Sequence, residues 1–486
     1  MRVIIITEGY QSTGYGHITR CLSLFQAFQS RGITPLMIVN GDEPARHFLE
    51  GSEYLLLNWL DNTGELLGKI DANSLVIVDS YKAGEEFYTA LKSSCALLAV
   101  IDDYMRLDYD AHIIINGTIG SEKYPYKREG RVKYLLGSSY IPLRSEFLNV
   151  KERCTKENIS SVLITMGGQD IRDLTAPVIK LLLEKYPGLI ITAIVKKEFN
   201  IDFEYFAGFP NLKFVFDADA KKMKELMEEA DIAVTAAGQT LYELARTGTP
   251  PVAVIVADNQ IKNLKGWIES GFIKDEIHYD DSDYPEKIIA GIEKLQACEV
   301  RIQAAKTGMA AVDGKGAELA AAEILIAFCG ENDFYLRPAV SDDAKNIYDL
   351  SSDPVVRENS IITKPIEWNE HMKWFNKKLL DKNHFFLLAF SKEGEFIGQV
   401  RFGAEEKSAV VSISIASSFR GKNLSSRILI NASELFFSHF TGVEKIKAYI
   451  KPDNTSSIKS FLKAGYAFHS SEMINNEDFN LYLKLK

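Results

Sequence analysis

Two hydrophobic periods alternate along the first 330 residues. Short apolar, β-branched runs occupy 3–7, 35–40, 75–79, 97–102, 113–116 and 134–137. Helix-period segments, such as 17–31 and 84–94, lie between several of them. Runs this apolar are buried on both faces, so the pattern predicts a mostly parallel sheet with helices on either side. A second set follows, with strands at 161–165, 189–195, 212–216, 231–235 and 251–256. Its helices fit 172–186, 221–230, 239–247, 260–271 and, in pieces, 284–328.

The pattern changes after Cys329, Gly330, Glu331 and Asn332, where the segment breaks. Helices come first in the last part. Strands at 385–390, 396–402 and 409–416, a helix at 423–440, a strand at 446–451, a helix at 454–464 and a terminal strand at 480–485 follow. This predicts an α+β unit with a largely antiparallel sheet. The domain reading is 1–155, 156–328 and 333–486, with no internal repeat.

Composition narrows the class. The chain has 486 residues, 46% hydrophobic and 25% charged, which suits a soluble globular protein with several cores. The net charge of −10 is uneven: 334–486 carries +3 and the preceding residues −13. No extended basic surface suggests nucleic acid as a partner. The five cysteines are scattered without a CxxC pair, which argues for reduced thiols in a cytoplasm and against a zinc site or disulfide framework. Met1 and Arg2 lead into a strand rather than a signal peptide, and no apolar run is long enough to span a membrane.

Candidate chemistry gathers at strand ends. After the first strand comes Gly14-Tyr15-Gly16-His17-Ile18-Thr19-Arg20. Gly14 and Gly16 let backbone N–H groups approach a ligand, and the following helix N-terminus favours an anion. His17 stands at that mouth, where an imidazole can move protons near neutral pH. A glycine turn beside a solvated histidine is the alternative. Asp79-Ser80-Tyr81, Asp102-Asp103 and Asn116-Gly117 end other strands of the same set. In the second set, Gly167-Gly168 follows a strand and suits close approach of a diphosphate, or a simple tight turn. Gly238-Gln239-Thr240 opens a helix, with Glu243 one turn on. Gly238 and Thr240 could cradle phosphate while Glu243 accepts bonds from ribose hydroxyls; a capping box is the alternative.

Together these motifs resemble a family. GYGHITR, then Asp79-Ser80-Tyr81, Asp102-Asp103, Gly137-Ser138-Ser139-Tyr140, ITMGGQD, AAGQTLYELARTGTPPVAV and Asp258-Asn259-Gln260 look like the UDP-2,4-diacetamido-2,4,6-trideoxy-β-L-altropyranose hydrolases of pseudaminic acid biosynthesis. The resemblance spans about 1–328. The later segments alone resemble the wider glycosyltransferase-B group. The implied fold is two Rossmann-like domains in glycosyltransferase-B arrangement, with a UDP-activated amino sugar in the cleft and no metal. The implied reaction uses His17 as general base on a water at the anomeric carbon, with inversion. Asp79 and Tyr81 join the catalytic set, Tyr81 positioning sugar or water. Gly14, Gly16, Gly167, Gly168, Gly238, Gln239, Thr240, Glu243, Asn259 and Gln260 bind the UDP-sugar.

A second resemblance covers 334–486. Ser414-Ile415-Ala416 followed by Arg420-Gly421-Lys422-Asn423-Leu424-Ser425, and Asn454 with Ser457 beyond, are similar to the acetyl-CoA sites of GNAT-superfamily N-acetyltransferases. The strand near Ser414 would pair with pantetheine, and the Arg-Gly loop would hold the pyrophosphate. Asn423 and Ser425 stand where glycine is usual. Asn tolerates the left-handed backbone such a position needs. Phe461 stands where many relatives have an acidic tyrosine, which leaves Tyr466 or solvent to protonate the thiolate. The combined expectation is a bifunctional enzyme that acetylates the 4-amino group of a UDP-sugar with acetyl-CoA and then hydrolyses the product. A UDP-sugar-dependent glycosyltransferase and a sugar-nucleotide scaffold with an inactive GNAT module are the alternatives.

Overall fold

The computed structural model describes residues 2–11, 14–127, 132–329, 333–475 and 477–486. The break at Gly330, Glu331 and Asn332 lies outside the described residues. The chain forms two compact units, Arg2–Ile324 and Leu325–Lys486, and the division falls within the helix Gly316–Cys329.

The first unit contains two separate parallel sheets. One comprises β1 (Arg2–Gly9), β2 (Leu36–Gly41), β3 (Tyr54–Leu56), β4 (Ser74–Asp79), β5 (Leu97–Ile101), β6 (Ile113–Asn116) and β7 (Lys133–Leu136), in the order β3-β2-β1-β4-β5-β6-β7. The other comprises β8 (Ser161–Thr165), β9 (Ile190–Val195), β10 (Leu212–Phe216), β11 (Ile232–Ala236) and β12 (Pro251–Val254), in the order β10-β9-β8-β11-β12. All pairings in both sheets are parallel.

Each order reverses direction once, between β1 and β4 in the first sheet and between β8 and β11 in the second. In open parallel sheets, ligands bind beyond strand C-termini at such a reversal. The loop after β1 leads into the helix Gly16–Gln29, whose buried Ile18, Cys21, Leu24, Phe25 and Phe28 recur every three or four residues. That face fixes the helix on the sheet and its first turn at the β1/β4 reversal.

The second unit has one seven-stranded sheet. Its strands are β13 (Phe334–Pro338), β14 (His384–Ser391), β15 (Phe396–Glu405), β16 (Ser408–Ile415), β17 (Lys445–Ile450), β18 (Ala467–Ile474) and β19 (Glu477–Leu485), in the order β13-β14-β15-β16-β17-β19-β18. All neighbours are antiparallel except β16 and β17. Those two pair only over Ser408–Val410 and Lys445–Lys447, although both strands continue. The unit therefore opens with a strand, not with helices as the periodicity suggested.

Candidate functional sites

In the first unit, Asp79 ends β4 directly opposite Thr7 of β1, and is fully buried. His17 lies in the first turn of the following helix, with Nδ1 2.7 Å from Asp79 Oδ1. Arg20, one turn further on, donates Nε to Asp79 Oδ2 at 2.5 Å and Nη2 to Oδ1 at 2.6 Å. Cys21 Sγ adds a weak donor 3.6 Å from Oδ2. Burial alone would raise the Asp79 pKa, but the charges and hydrogen bonds of Arg20 and His17 outweigh it and hold the carboxyl well below its usual range. An ionised Asp79 only accepts, so His17 carries its proton on Nδ1 and donates it. In the neutral imidazole the lone pair is then on Nε2, which has no hydrogen-bond partner among the described residues. A buried carboxylate in this position can hold an imidazole in one tautomer and leave its other nitrogen open to accept a proton.

The same guanidinium spans a second carboxylate. Arg20 Nη1 lies 2.8 Å from both oxygens of Asp103. The Tyr81 hydroxyl also donates to Asp103. Burial and then Asp103 push the Tyr81 pKa well above its ordinary value, so the phenol stays protonated. Its ring meets the imidazole of His17 edge-on, with centroids 4.3 Å apart. His17, Asp79 and Tyr81, singled out from sequence, are thus adjacent. Arg20 and Asp103 stood in the quoted motifs without a role. The spacing of Arg20 three residues after His17 on a helix face was the available signal. Asp102 instead holds its own loop, accepting the backbone N–H groups of Met105 and Arg106.

The glycine loops meet across the two sheets of this unit. Gly14 has φ +85°, and a Cβ placed there would lie 3.9 Å from Gln169 Cγ. Gly167 has φ +81° after β8, and neither it nor Gly168 has a neighbour within 4 Å of a Cβ position. Gly16 is equally open at the helix start. The backbone here is accessible to a ligand. Lys196 Nζ lies 5.8 Å from the Tyr15 ring centre.

Glu243 is buried, and its Oε1 accepts Nε and Nη2 of Arg144 at 3.0 and 2.7 Å. The helix Thr240–Thr247 has no side-chain cap, so the capping-box alternative for Thr240 and Glu243 is not what forms. Gln239 Nε2 donates to Pro142 O, and Gln260 Oε1 accepts Val256 N. Gly238 faces Gln260 Nε2, 3.6 Å from a Cβ position. Asn259 is exposed in the turn Asp258–Gln260.

In the second unit, the splay of β16 from β17 leaves the β17 side of β16 unpaired at Ser414 and Ile415, which still pair with Gln399 and Gly398 of β15, with Ala416 following. On the other side of β16, Gly398 of β15 allows the close pairing: a Cβ there would lie 2.2 Å from Ser414 O. The loop then turns through Gly421 at φ +79° and Asn423 at φ +56°, ψ +23°, the left-handed conformation anticipated for this asparagine. Leu424 and Ser425 begin the helix Leu424–His439. Their N–H groups, with those of Lys422 and Asn423, form the first turn available to an anion. Arg420 Nε donates to Ile415 O, and Nη2 lies 2.9 Å from Asp353 Oδ1. Asn454 Oδ1 accepts Ser457 N at 3.0 Å, capping the helix Thr455–Lys463.

Tyr466 is not placed to serve as an acid. It is 2% exposed within the core, and its hydroxyl lies 2.9 Å from Ser433 Oγ. Burial raises its pKa further. Among the described residues, no group of three or more His, Cys, Asp or Glu could hold a metal ion. No described helix is long and apolar enough to cross a membrane.

Comparison with known proteins divides along the same line. Residues 333–467 match the acetyltransferase (GNAT) domain model. An uncharacterized protein of Methanocaldococcus jannaschii is 25% identical over 499 residues, covering 96% of each chain. The pseudaminic acid cytidylyltransferase and UDP-2,4-diacetamido-2,4,6-trideoxy-β-L-altropyranose hydrolase of Helicobacter pylori is 27% identical over 278 residues, covering 56% of this chain and 48% of that protein. The spore coat polysaccharide biosynthesis protein SpsG of Bacillus subtilis is 23% identical, covering 65% of this chain and 95% of that protein. The chain thus joins a region similar to the UDP-altropyranose hydrolase to a C-terminal acetyltransferase (GNAT) domain.

Proposed function

We propose that the chain acetylates a UDP-linked 4-amino sugar and then hydrolyses the product, UDP-2,4-diacetamido-2,4,6-trideoxy-β-L-altropyranose, to the free sugar and UDP. The observation that carries the hydrolase reading is the His17–Asp79–Arg20 arrangement at the β1/β4 reversal. His17 Nε2 takes a proton from water as its oxygen attacks C1. The C1–O bond to the diphosphate breaks with inversion, and UDP departs with the bonding electrons. Backbone N–H groups at Gly167-Gly168 and Gly238-Gln239 stabilise the charge that develops on the diphosphate. Glu243, one oxygen fixed by Arg144, holds the ribose through the other. Gly14 and Gly16 allow the sugar to approach, and Thr240, Asn259 and Gln260 complete its surroundings.

The N-acetyltransferase step belongs to the second unit. Acetyl-CoA lies with pantetheine along Ser414–Ala416 and pyrophosphate against residues 420–425. Asn454 and Ser457 border that site. The neutral amine attacks the thioester carbonyl, the C–S bond breaks, and the proton lost from the nitrogen passes through solvent to the departing thiolate, giving the amide and free thiol. Acetyl-CoA is a co-substrate, and neither step uses a metal. Substituting His17→Asn tests the base: UDP release should fall to background while UDP still binds. Near-normal turnover would remove His17 from the mechanism.

A further inference from the structure

In the first unit, Tyr242 on the helix Thr240–Thr247 and Asn263 on the helix Ile261–Ser270 are buried polar side chains beside the loop 237–239. Asn263 Nδ2 lies 2.8 Å from Ala237 O and 3.3 Å from Gly238 O. The Tyr242 oxygen is 3.0 Å from Ile119 N and 2.5 Å from Asn263 Oδ1. A backbone N–H only donates, so the Tyr242 oxygen accepts from Ile119 and its own proton goes to Asn263 Oδ1. That fixes the amide: Oδ1 faces the phenol, and Nδ2 faces the two carbonyls. Burial raises the Tyr242 pKa, so this proton stays in place.

A trans peptide unit points its C=O and the next N–H in opposite directions. Holding Ala237 O therefore turns Gly238 N–H away from Asn263, and holding Gly238 O does the same for Gln239 N–H. Neither N–H has a hydrogen-bond partner among the described residues. The same side chains reach the loops that end the first sheet. Ile119 follows Thr118, whose hydroxyl donates to Asp103 O at 3.2 Å. Asp103 is the carboxylate that binds Arg20 and Tyr81. One turn beyond Asn263, a Cβ at Gly266 would lie 2.3 Å from Ile119 O, so only glycine lets the helix approach this closely. Lys262 Nζ donates to Tyr104 O at 2.9 Å, next to Asp103.

We propose that Asn263 and Tyr242 are positioning residues for the departure of UDP: Tyr242 orients the Asn263 amide, and Asn263 aims Gly238 N–H and Gln239 N–H at the leaving diphosphate. Through Ile119 and Thr118, Tyr242 also ties these donors to the loop that carries Asp103. This rests on the hydrolase reading above. Charge on the diphosphate grows as the C1–O bond breaks, so misaimed donors cost more in the transition state than in the bound substrate.

Steady-state release of UDP from UDP-2,4-diacetamido-2,4,6-trideoxy-β-L-altropyranose by the full chain tests this. Tyr242→Phe keeps the ring against Trp267, 5.1 Å between centroids, and removes only the hydroxyl. Its kcat should fall about ten-fold with KM little changed, and that of Asn263→Ala about 100-fold. Because Tyr242 acts through Asn263, Tyr242→Phe should cost nothing further in the Asn263→Ala background. The acid limb of the pH profile, set by His17, should stay in place in every variant. Losses that multiply in the double variant overturn the proposal. An acid limb that moves in Tyr242→Phe also overturns it, because the effect would then fall on the base and not on the leaving group. If Asn263→Ala fails to fold, Tyr242→Phe decides by its kcat and its acid limb. UDP release by the unaltered protein with unchanged kcat in the folded variants rejects the proposal and leaves the hydrolase reading intact. No release by the unaltered protein rejects both.

Discussion

His17 and Asp79 come from different elements, yet Nδ1 and Oδ1 lie 2.7 Å apart. The pair depends on Arg20, which keeps Asp79 ionised and accepting. In Asp79→Asn the side-chain amide can donate to Nδ1, which would place the imidazole proton on Nε2 and remove the base. UDP release should fall by a factor of about 100 or more. The substitution also leaves Arg20 short of one charge, at a cost of about 3–5 kcal/mol in stability. Steady-state turnover and urea unfolding measure the two effects. Unchanged turnover in a folded Asp79→Asn protein would mean that the pair is only structural.

Glu243 supports a different expectation. A ribose contact holds substrate and transition state alike, so its loss raises KM more than it lowers kcat. Glu243→Gln should weaken UDP binding about ten-fold, the worth of one hydrogen bond to a charged group. Calorimetry with UDP reads this directly. An equal fall in kcat with no change in affinity would place Glu243 in the chemistry instead.

Tyr466→Phe should leave acetyl transfer close to normal. The variant loses only the contact with Ser433, worth about 1 kcal/mol of stability. A loss of transfer rate that grows with pH would restore Tyr466 as the acid.

Much of this was readable before the fold was known. The apolar runs gave strands β1, β4 and β8 within a few residues, because parallel strands are buried on both faces. The edge strand β3, only three half-buried residues, left no comparable pattern. Strand β18 was missed for the same reason: AFHSSEMI is mostly exposed and carries no alternation. Strand β13 was missed because its short run precedes helices that dominate the local periodicity. His17, Asp79 and Tyr81 could be named from their motifs. That Arg20 bridges Asp79 and Asp103 could not, since it needs three segments distant in sequence.

His384 gives a pH-dependent expectation. Burial pushes its imidazole down to about 4, with Lys378 and Arg401 adding to the effect and Asp381 opposing it. The unfolded chain protonates such a group near pH 6.5. Between those values the unfolded state binds more protons, so stability rises with pH. The cost is absent above about pH 6.5, grows as the pH falls, and is complete below the folded value. In His384→Gln, the melting transition of the second unit should fall less steeply between pH 6.5 and 4.5. Parallel curves for the two proteins would show that His384 is already solvated.

The most direct measurement is NMR of the full chain with UDP-4-amino-4,6-dideoxy-N-acetyl-β-L-altrosamine, with and without acetyl-CoA. The expected result is free 2,4-diacetamido sugar and UDP only when acetyl-CoA is present, with acetylation preceding release. Failure to release UDP from the pre-acetylated UDP-sugar, or release only when an alcohol acceptor is added, would contradict the hydrolase.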